Sequence, residues 1–345
     1  MIRAAVIGVG SIGRHHVRIY NQLEEVELVA IADIDEKRRA NIARNYKVPA
    51  YADYRELLDK ERVDVVSVAV PTVYHREVSL CAIEHGVHVL VEKPIAATVE
   101  EADAMIRSAR AHGLTLTVGH VERFNPALVE LKRRLDAGEL GHVFQLHGRR
   151  LSPFPSYIRD VGVVMDLATH ELDIMRYLVG EEVERVYAET ERNVHQKYED
   201  MLSGIIRFEN GIVGVLDINW LTPTKVRELR ITGARGMFLV DYLKQDLYFY
   251  ENSQAPSPWD AMALFRGVGE GNVMKFTLNK VEPLEAEIRA FIQAVKGEAE
   301  PAVTGLDALH ALALVQLLLA SAEQGQMLKV REQVIARSWA PMLGI

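Results

Sequence analysis

Gly8, Gly10 and Gly13 mark a tight turn between an apolar run, Arg3–Ile7, and a charged helix-like segment, Gly13–Gln22. A second apolar run, Glu27–Ala32, is followed at once by Asp33, 20 positions after Gly13. Strand, glycine turn, helix, strand and acid in this order admit few folds. Gly8 permits the sharp turn, Gly10 brings the backbone close to a pyrophosphate, and Gly13 lets the helix pack on the strand. Ser11 and Ile12 complete the loop. The helix N-terminus offers unpaired N–H groups and a partial positive charge to phosphates. Asp33 is placed to accept hydrogen bonds from an adenosine ribose, and its carboxylate would repel a 2′-phosphate. The cofactor expected is therefore NAD rather than NADP, with Arg38 and Arg39 nearby as a counterweight.

The pattern continues through the first 120 residues. Strand-like runs follow at Val63–Val70, His88–Glu92 and Leu114–Gly119, and helix-like segments at Glu36–Asn45, Tyr54–Lys60, Tyr74–His85 and Val99–His112. Continuous valine-rich and isoleucine-rich strands alternating with helices predict a doubly wound parallel sheet buried on both faces. Thr98 with Glu101 reads as a capping box. Beyond residue 120 the strands crowd together, at His142–Arg150, Val183–Asn193, Asp200–Phe208, Ile212–Trp220, Lys225–Thr232, Gly236–Asp241 and Gln245–Glu251. They predict a mostly antiparallel sheet in a second α/β domain. One long helix, Gly162–Leu178, interrupts them, and Asn210-Gly211 predicts a type I′ hairpin. Residues 253–276 read as an excursion, and helices are predicted at Pro283–Lys296 and Leu306–Gln324. The division expected is 1–120, 121–330 and a tail at 331–345.

A chain of 345 residues suits two domains. Its formal net charge of −8 argues against nucleic acid or a membrane surface as partner, so an anionic ligand needs a local basic cluster. Cys81 is the only cysteine, which excludes an intrachain disulfide and a cysteine-cluster metal site. The apolar stretch Ala308–Ala322 reads as short for a membrane span. With no leader visible ahead of the first strand, the expectation is a cytoplasmic protein.

Two constellations carry chemistry. Glu92-Lys93-Pro94 closes the fourth long strand, where open α/β sheets bind ligands beyond the strand ends, so Glu92 and Lys93 are expected at the cofactor crevice. A surface lysine is the competing reading. Asp166 and His170 stand four apart and share a helical face, with Val163, Leu167, Ile174 and Leu178 largely opposite. An imidazole can take a hydroxyl proton near neutral pH, and a carboxylate can orient it. A solvated helix face, or a metal site completed by Asp173, are the alternatives, and no metal is expected. Val70-Pro71-Thr72, with His75 following, is expected to line the cofactor, and His120 to reach its nicotinamide side.

Together these pieces resemble the Gfo/Idh/MocA oxidoreductases over nearly the whole chain. The resemblance rests on the glycine turn, Glu92-Lys93-Pro94, and Asp166 with His170 and Asp173. It implies an N-terminal Rossmann domain, a C-terminal α/β domain with an open, largely antiparallel sheet, and homodimers or homotetramers paired through that sheet. It also implies Lys93, Asp166 and His170 as the catalytic set. The chain departs from the common pattern where a glycine run before the aspartate shrinks to Gly162 and where Ala168 replaces a frequent glycine.

Within the family, the runs Val118–Pro126 and Asn219–Pro223 resemble the branch that oxidises C3 of a UDP-sugar such as UDP-N-acetylglucosamine. A diphosphate demands cations in the second domain. Arg123, Arg149, Arg150, Arg159, Lys225 and Arg227 are the candidates, with Arg123 foremost, Asn125 beside it, and Tyr157 or Trp220 able to stack on uracil. In the expected reaction a sugar hydroxyl is oxidised to a ketone: His170 accepts the proton, Lys93 stabilises the developing charge, and Asp166 positions either. An inositol or free-sugar dehydrogenase, a glycosidase using transient oxidation, and a non-catalytic nucleotide-binding sensor are the other readings.

Overall fold

The computed structural model describes residues 1–155, 161–252, 270–337 and 339–344. The chain forms two compact units, Met1–Val121 with Glu282–Ala313 and Val334–Ile345, and Glu122–Val281 with Leu314–Gln333.

In the first unit, β1 (Ile2–Ile7), β2 (Val26–Ala32), β3 (Ala50–Tyr51), β4 (Val65–Val68), β5 (His88–Glu92) and β6 (Leu116–Gly119) form a parallel sheet in the order β3-β2-β1-β4-β5-β6. The central strands are buried on both faces, which is why they read as unbroken apolar runs. Helices α1 (Gly13–Gln22), α2 (Glu36–Tyr46), α3 (Tyr54–Lys60), α4 (His75–Glu84) and α5 (Val99–Ala111) connect them. Thr98 caps α5 by accepting from the Glu101 N–H at 3.2 Å, while the Glu101 carboxylate reaches back to Ala97 rather than to Thr98 itself. The strand order reverses between β1 and β4, so the loops after these two strands flank a crevice at the carboxyl edge.

The division at 121–330 and 331–345 needs correction. The helix Pro283–Val295 belongs to the first unit, because Ile288, Phe291 and Ile292 bury themselves in the core with Val17, Tyr20 and Leu28. Each such side chain contributes roughly 1.5–3 kcal/mol. Trp339, in the supposed tail, is buried and donates its indole N–H to Glu100 at 2.6 Å. The apolar stretch at 308–322 lies in a longer helix, Gly305–Gln324, which is apolar enough to cross a membrane but is mostly buried within the protein.

In the second unit, α6 (Pro126–Asp136) precedes β7 (Val143–Leu151), and β8 (Val183–Glu191), β9 (Met201–Phe208), β10 (Val213–Asn219), β11 (Val226–Gly233), β12 (Gly236–Asp241), β13 (Asp246–Asn252), β14 (Glu270–Phe276) and β15 (Leu328–Lys329) follow. The described residues form a nine-stranded sheet, β14-β13-β12-β11-β7-β10-β9-β8-β15, with β7 and β10 parallel and every other pair antiparallel. Part of the excursion expected at 253–276 is thus strand β14. Burial alternates along β9 and β10, giving one packed face and one open face. The β9–β10 hairpin is not type I′: Gly211 has φ +88° but Asn210 does not take positive φ. Phe208 and Ile212 pair around a three-residue loop, with Gly211 as the left-handed residue and Asn210 Oδ1 accepting from the Ile212 N–H at 3.2 Å.

The helix predicted at Gly162–Leu178 opens differently. Val164–Ala168 is a π turn, and α7 (Thr169–Val179) continues from it. Glu199 fastens the turn: its carbonyl accepts from the Val163 N–H at 3.0 Å and its Oε1 from the Val164 N–H at 3.1 Å. A Cβ on Gly162 would lie 2.0 Å from Glu199 Oε1, so glycine is required where the carboxylate sits. Single π turns inside helices recur at functional sites. Gly162→Ala is expected to cost about 1–3 kcal/mol in urea unfolding, the worth of a charge-assisted hydrogen bond. The cost should vanish in a Glu199→Ala background. Equal costs in both backgrounds would remove Glu199 from the account.

Candidate active site

The glycine turn divides its labour. Gly8 has φ +87°, and a Cβ there would lie 2.5 Å from the Ala69 carbonyl oxygen; one on Gly13 would lie 1.8 Å from the Gly8 oxygen. These two glycines serve the packing of the fold itself. Gly10 differs, since a Cβ there would meet only Arg38 Nη1 at 3.4 Å. It faces open space, as close approach of a phosphate requires. The N–H groups of Gly10, Ser11, Ile12 and Gly13 make no hydrogen bond among the described residues, which leaves a ring of donors at the start of α1. Asp33 is 7% exposed. Its Oδ2 accepts from Val9 and its Oδ1 from Asp35, each at 2.8 Å, and Arg38 Nη1 lies 3.8 Å from Oδ2. One bond per oxygen leaves lone pairs for ribose hydroxyls. The residues fit a dinucleotide.

After β4, Val70 lies against Gly8, Pro71 is exposed, and Thr72 opens a short 3₁₀ turn. His75 has both ring nitrogens engaged with backbone carbonyls. It is 1% exposed, with Nδ1 2.9 Å from the Pro94 oxygen and Nε2 2.9 Å from the Val70 oxygen. Its ring ties the loop after β4 to the loop after β5, and burial holds its pKa below the usual histidine value.

Glu92 is joined to a chain that sequence reasoning missed. Tyr20 OH and Ser67 Oγ are 2.9 Å apart, Ser67 Oγ and His16 Nδ1 2.9 Å, and His16 Nε2 and Glu92 Oε1 3.0 Å. The only hints were a serine inside the apolar β4 and a histidine on the inner face of α1. Burial pushes the Glu92 carboxyl up, but His16, Lys93 and His75 outweigh it and leave the pKa low. Glu92 therefore supports Lys93, which is half-buried and precedes a cis peptide bond to Pro94. His120 is buried just beyond β6.

In the second unit, Asp166 is half-buried on the π turn and His170 is 8% exposed in the first turn of α7. The same short stretch presents both, and Glu199 anchors it. Asp173 is committed elsewhere, accepting from Arg123 Nε at 2.8 Å and Nη2 at 2.5 Å, with both side chains buried. That bidentate pair makes Arg123 a brace between the start of the unit and α7, not an open phosphate ligand, and removes Asp173 as a metal ligand. No group of three metal-binding side chains occurs among the described residues. Asn125 is also spent: it caps α6 by accepting from Ala127 and donates to the Tyr242 oxygen at 3.1 Å.

Arg149 lies on the open face of the sheet, beside Asp217 at 3.2 Å and Glu228 at 3.7 Å. Its neighbour Arg150 faces the packed side instead, with Nε 2.8 Å from Glu171 Oε1. Tyr157 and Arg159 lie outside the described residues. Trp220 is core, 2% exposed and edge-on to Phe154 at 6.0 Å.

Comparison with known proteins agrees with this arrangement. The model of an oxidoreductase family with an NAD-binding Rossmann fold matches residues 2–120, and that of the GFO/IDH/MocA C-terminal domain matches residues 128–239. The UDP-N-acetylglucosamine 3-dehydrogenase of Acidithiobacillus ferrooxidans is 33% identical over 294 residues, 85% of this chain and 88% of that one. A solved structure of the enzyme of that name from the same organism superposes with a TM-score of 0.83 at 30% identity, covering 94% of this chain and 98% of the other. The myo-inositol 2-dehydrogenase of Thermotoga maritima is 28% identical over 345 residues, 96% of this chain and all of that one. With the glycine turn, its acid and both domain types in place, the chain belongs to the GFO/IDH/MocA family and is an NAD-dependent oxidoreductase acting on CH–OH groups.

Proposed function

We propose that the protein oxidises a secondary hydroxyl of a UDP-sugar to a ketone, at C3 of UDP-N-acetylglucosamine or a close analogue. The observation that carries this reading is the 33% identity, over 85% of the chain, to an enzyme named for that reaction. A second reading, inositol oxidation, is favoured by the match along the full length of the inositol 2-dehydrogenase.

NAD supplies the hydride acceptor when bound. The N–H groups of Gly10–Gly13 hold its diphosphate and Asp33 its adenosine ribose. His170 accepts the substrate hydroxyl proton. Lys93 donates a hydrogen bond to the same oxygen and stabilises the charge that develops there. Asp166 orients these groups and favours their charged forms. Copies of the chain pair through the open sheet face, where Tyr187, Ile205, Val215 and His147 stand in one row across four strands. Ile205 is 50% exposed in the single chain, which suits a face that a second copy covers.

Mixing the protein with NAD⁺ and a panel of UDP-sugars, free sugars and inositols, then following NADH absorbance, separates the two readings. Signal with inositol and none with any UDP-sugar would select the second. Lys93→Ala and His170→Ala should each lower turnover ~100- to 10,000-fold while NAD affinity is retained. Full turnover in either variant would remove that residue from the catalytic set. Asp33→Ala should weaken NAD binding more than NADP binding, measured by fluorescence titration of the reduced cofactors. Unchanged discrimination would dismiss the ribose role.

A further inference from the structure

The second unit holds a group of cations to which the reaction above gives no task. Arg150 on β7 and Arg227 on β11 are direct partners across the strand pair, and Lys225 immediately precedes β11. Glu122 Oε1 is shared between the two guanidiniums, 3.0 Å from Arg150 Nη2 and 3.5 Å from Arg227 Nη1. Glu171 is filled by Arg150 Nε on one oxygen and by the Tyr242 hydroxyl, at 3.1 Å, on the other.

Against the effect of burial, Glu122 and Glu171 hold the Arg150 guanidinium above its usual range, but parts of the group lack internal partners among the described residues. Arg150 is 1% exposed, yet its Nη1 has no hydrogen-bond partner among the described residues. Lys225 makes no ion pair among the described residues. Burial and then Arg150 hold Arg227 below the usual guanidinium range, despite Glu122, Glu171 and Asp166 acting the other way. Lys225 is pushed down first by Arg227, then by burial and Arg150, with only Glu122 opposing. A purely structural pair would need only Arg150 and Glu171. Placing Arg227 directly opposite Arg150 sets like charges across a strand pair, which is destabilising by itself. An anion laid against the cluster would relieve that repulsion.

We infer that Arg227 and Lys225, backed by the buried Arg150, form the subsite for the diphosphate of a nucleotide-sugar substrate. The inference rests on the nucleotide-sugar reading above. Arg227 can grip phosphate oxygens with two parallel hydrogen bonds and Lys225 can add a point charge. The side chain of Arg227 keeps 24% of its surface open and Lys225 is exposed, so both meet solvent, while Arg150 acts from behind. Asp166 lies within electrostatic reach of Arg227. That proximity suits a substrate whose diphosphate hangs from C1 while the reacting hydroxyl is two carbons away on C3. An inositol carries no group that would use these cations.

The test is calorimetric titration of the NAD-loaded protein with UDP and, separately, with inorganic pyrophosphate. Wild type should bind both, more weakly as salt rises. Arg227→Gln and Lys225→Gln should each weaken both ligands about tenfold or more, the loss of one charge-assisted hydrogen bond, with NAD affinity unchanged. If Arg227→Gln fails to bind NAD through misfolding, the exposed Lys225→Gln decides alone. Unchanged UDP and pyrophosphate affinity in the variants overturns the subsite while the nucleotide-sugar reading stands. Absence of binding by wild type overturns it too. The substrate reading is then judged separately by whether any UDP-sugar yields NADH.

Discussion

Each of the two side chains proposed for proton and charge handling is covalently adjacent to a networked glutamate, Glu92 with 17% of its side chain exposed and Glu171 fully buried. Lys93 follows Glu92, and His170 precedes Glu171. A buried carboxylate is tolerable only when charged or hydrogen-bonding partners surround it, since several kcal/mol of desolvation must otherwise be met. Glu92 finds His16, and through it Ser67 and Tyr20; Glu171 finds Arg150 and Tyr242. Each network therefore fixes the backbone at the residue beside it. The side chains of Lys93 and His170 need not be rigid themselves, because the glutamate next door cannot move without losing its charged and hydrogen-bonded partners.

This arrangement explains which parts of the site were legible in the sequence. Several features that depend on contiguous residues could be read: the glycine turn, Asp33 directly after β2, Lys93 directly after β5, and the parallel sheet built from unbroken apolar runs. The supports could not. His16 and Ser67 are 51 positions apart, and Arg150 and Glu171 are 21 apart. No local spacing couples them, and a lone serine in a strand or a lone histidine in a helix has many ordinary explanations. The π turn was hidden for the same reason, because Glu199, 35 positions beyond Val164, draws the backbone out of α-helical register.

Strand parity accounts for the mixed outcome among the candidate arginines. Arg149 and Arg150 are neighbours, so they must face opposite sides of the sheet. Composition could not say which side was packed. The register settles it: Arg150 lies across from Arg227, and Arg149 lies across from Asp217 and Glu228. Arg123 stands foremost among the sequence candidates, yet its bidentate pairing with Asp173 uses the geometry that a phosphate would otherwise exploit. An arginine is a credible ligand for a substrate only when the fold leaves part of its fork without an internal acceptor. By that criterion Arg150 and Arg227, and not Arg123, retain capacity.

The cofactor turn and the subsite inferred in the second unit would hold anions by different physical means. In the first, backbone N–H groups at the start of α1 do the work, and any side chain at Gly10 would occupy the space they address. Such a site is encoded in six consecutive residues and varies little in what it can bind. In the second, the subsite we infer would rest on side-chain charges far apart in sequence, held near one another by β7–β11 pairing. Replacing Lys225, which is exposed and makes no ion pair among the described residues, alters charge without removing an internal partner. Substrate preference is accordingly free to change in the second unit while the cofactor half stays the same. That is consistent with a chain whose cofactor motif is unambiguous and whose relatives divide between nucleotide-sugars and inositols.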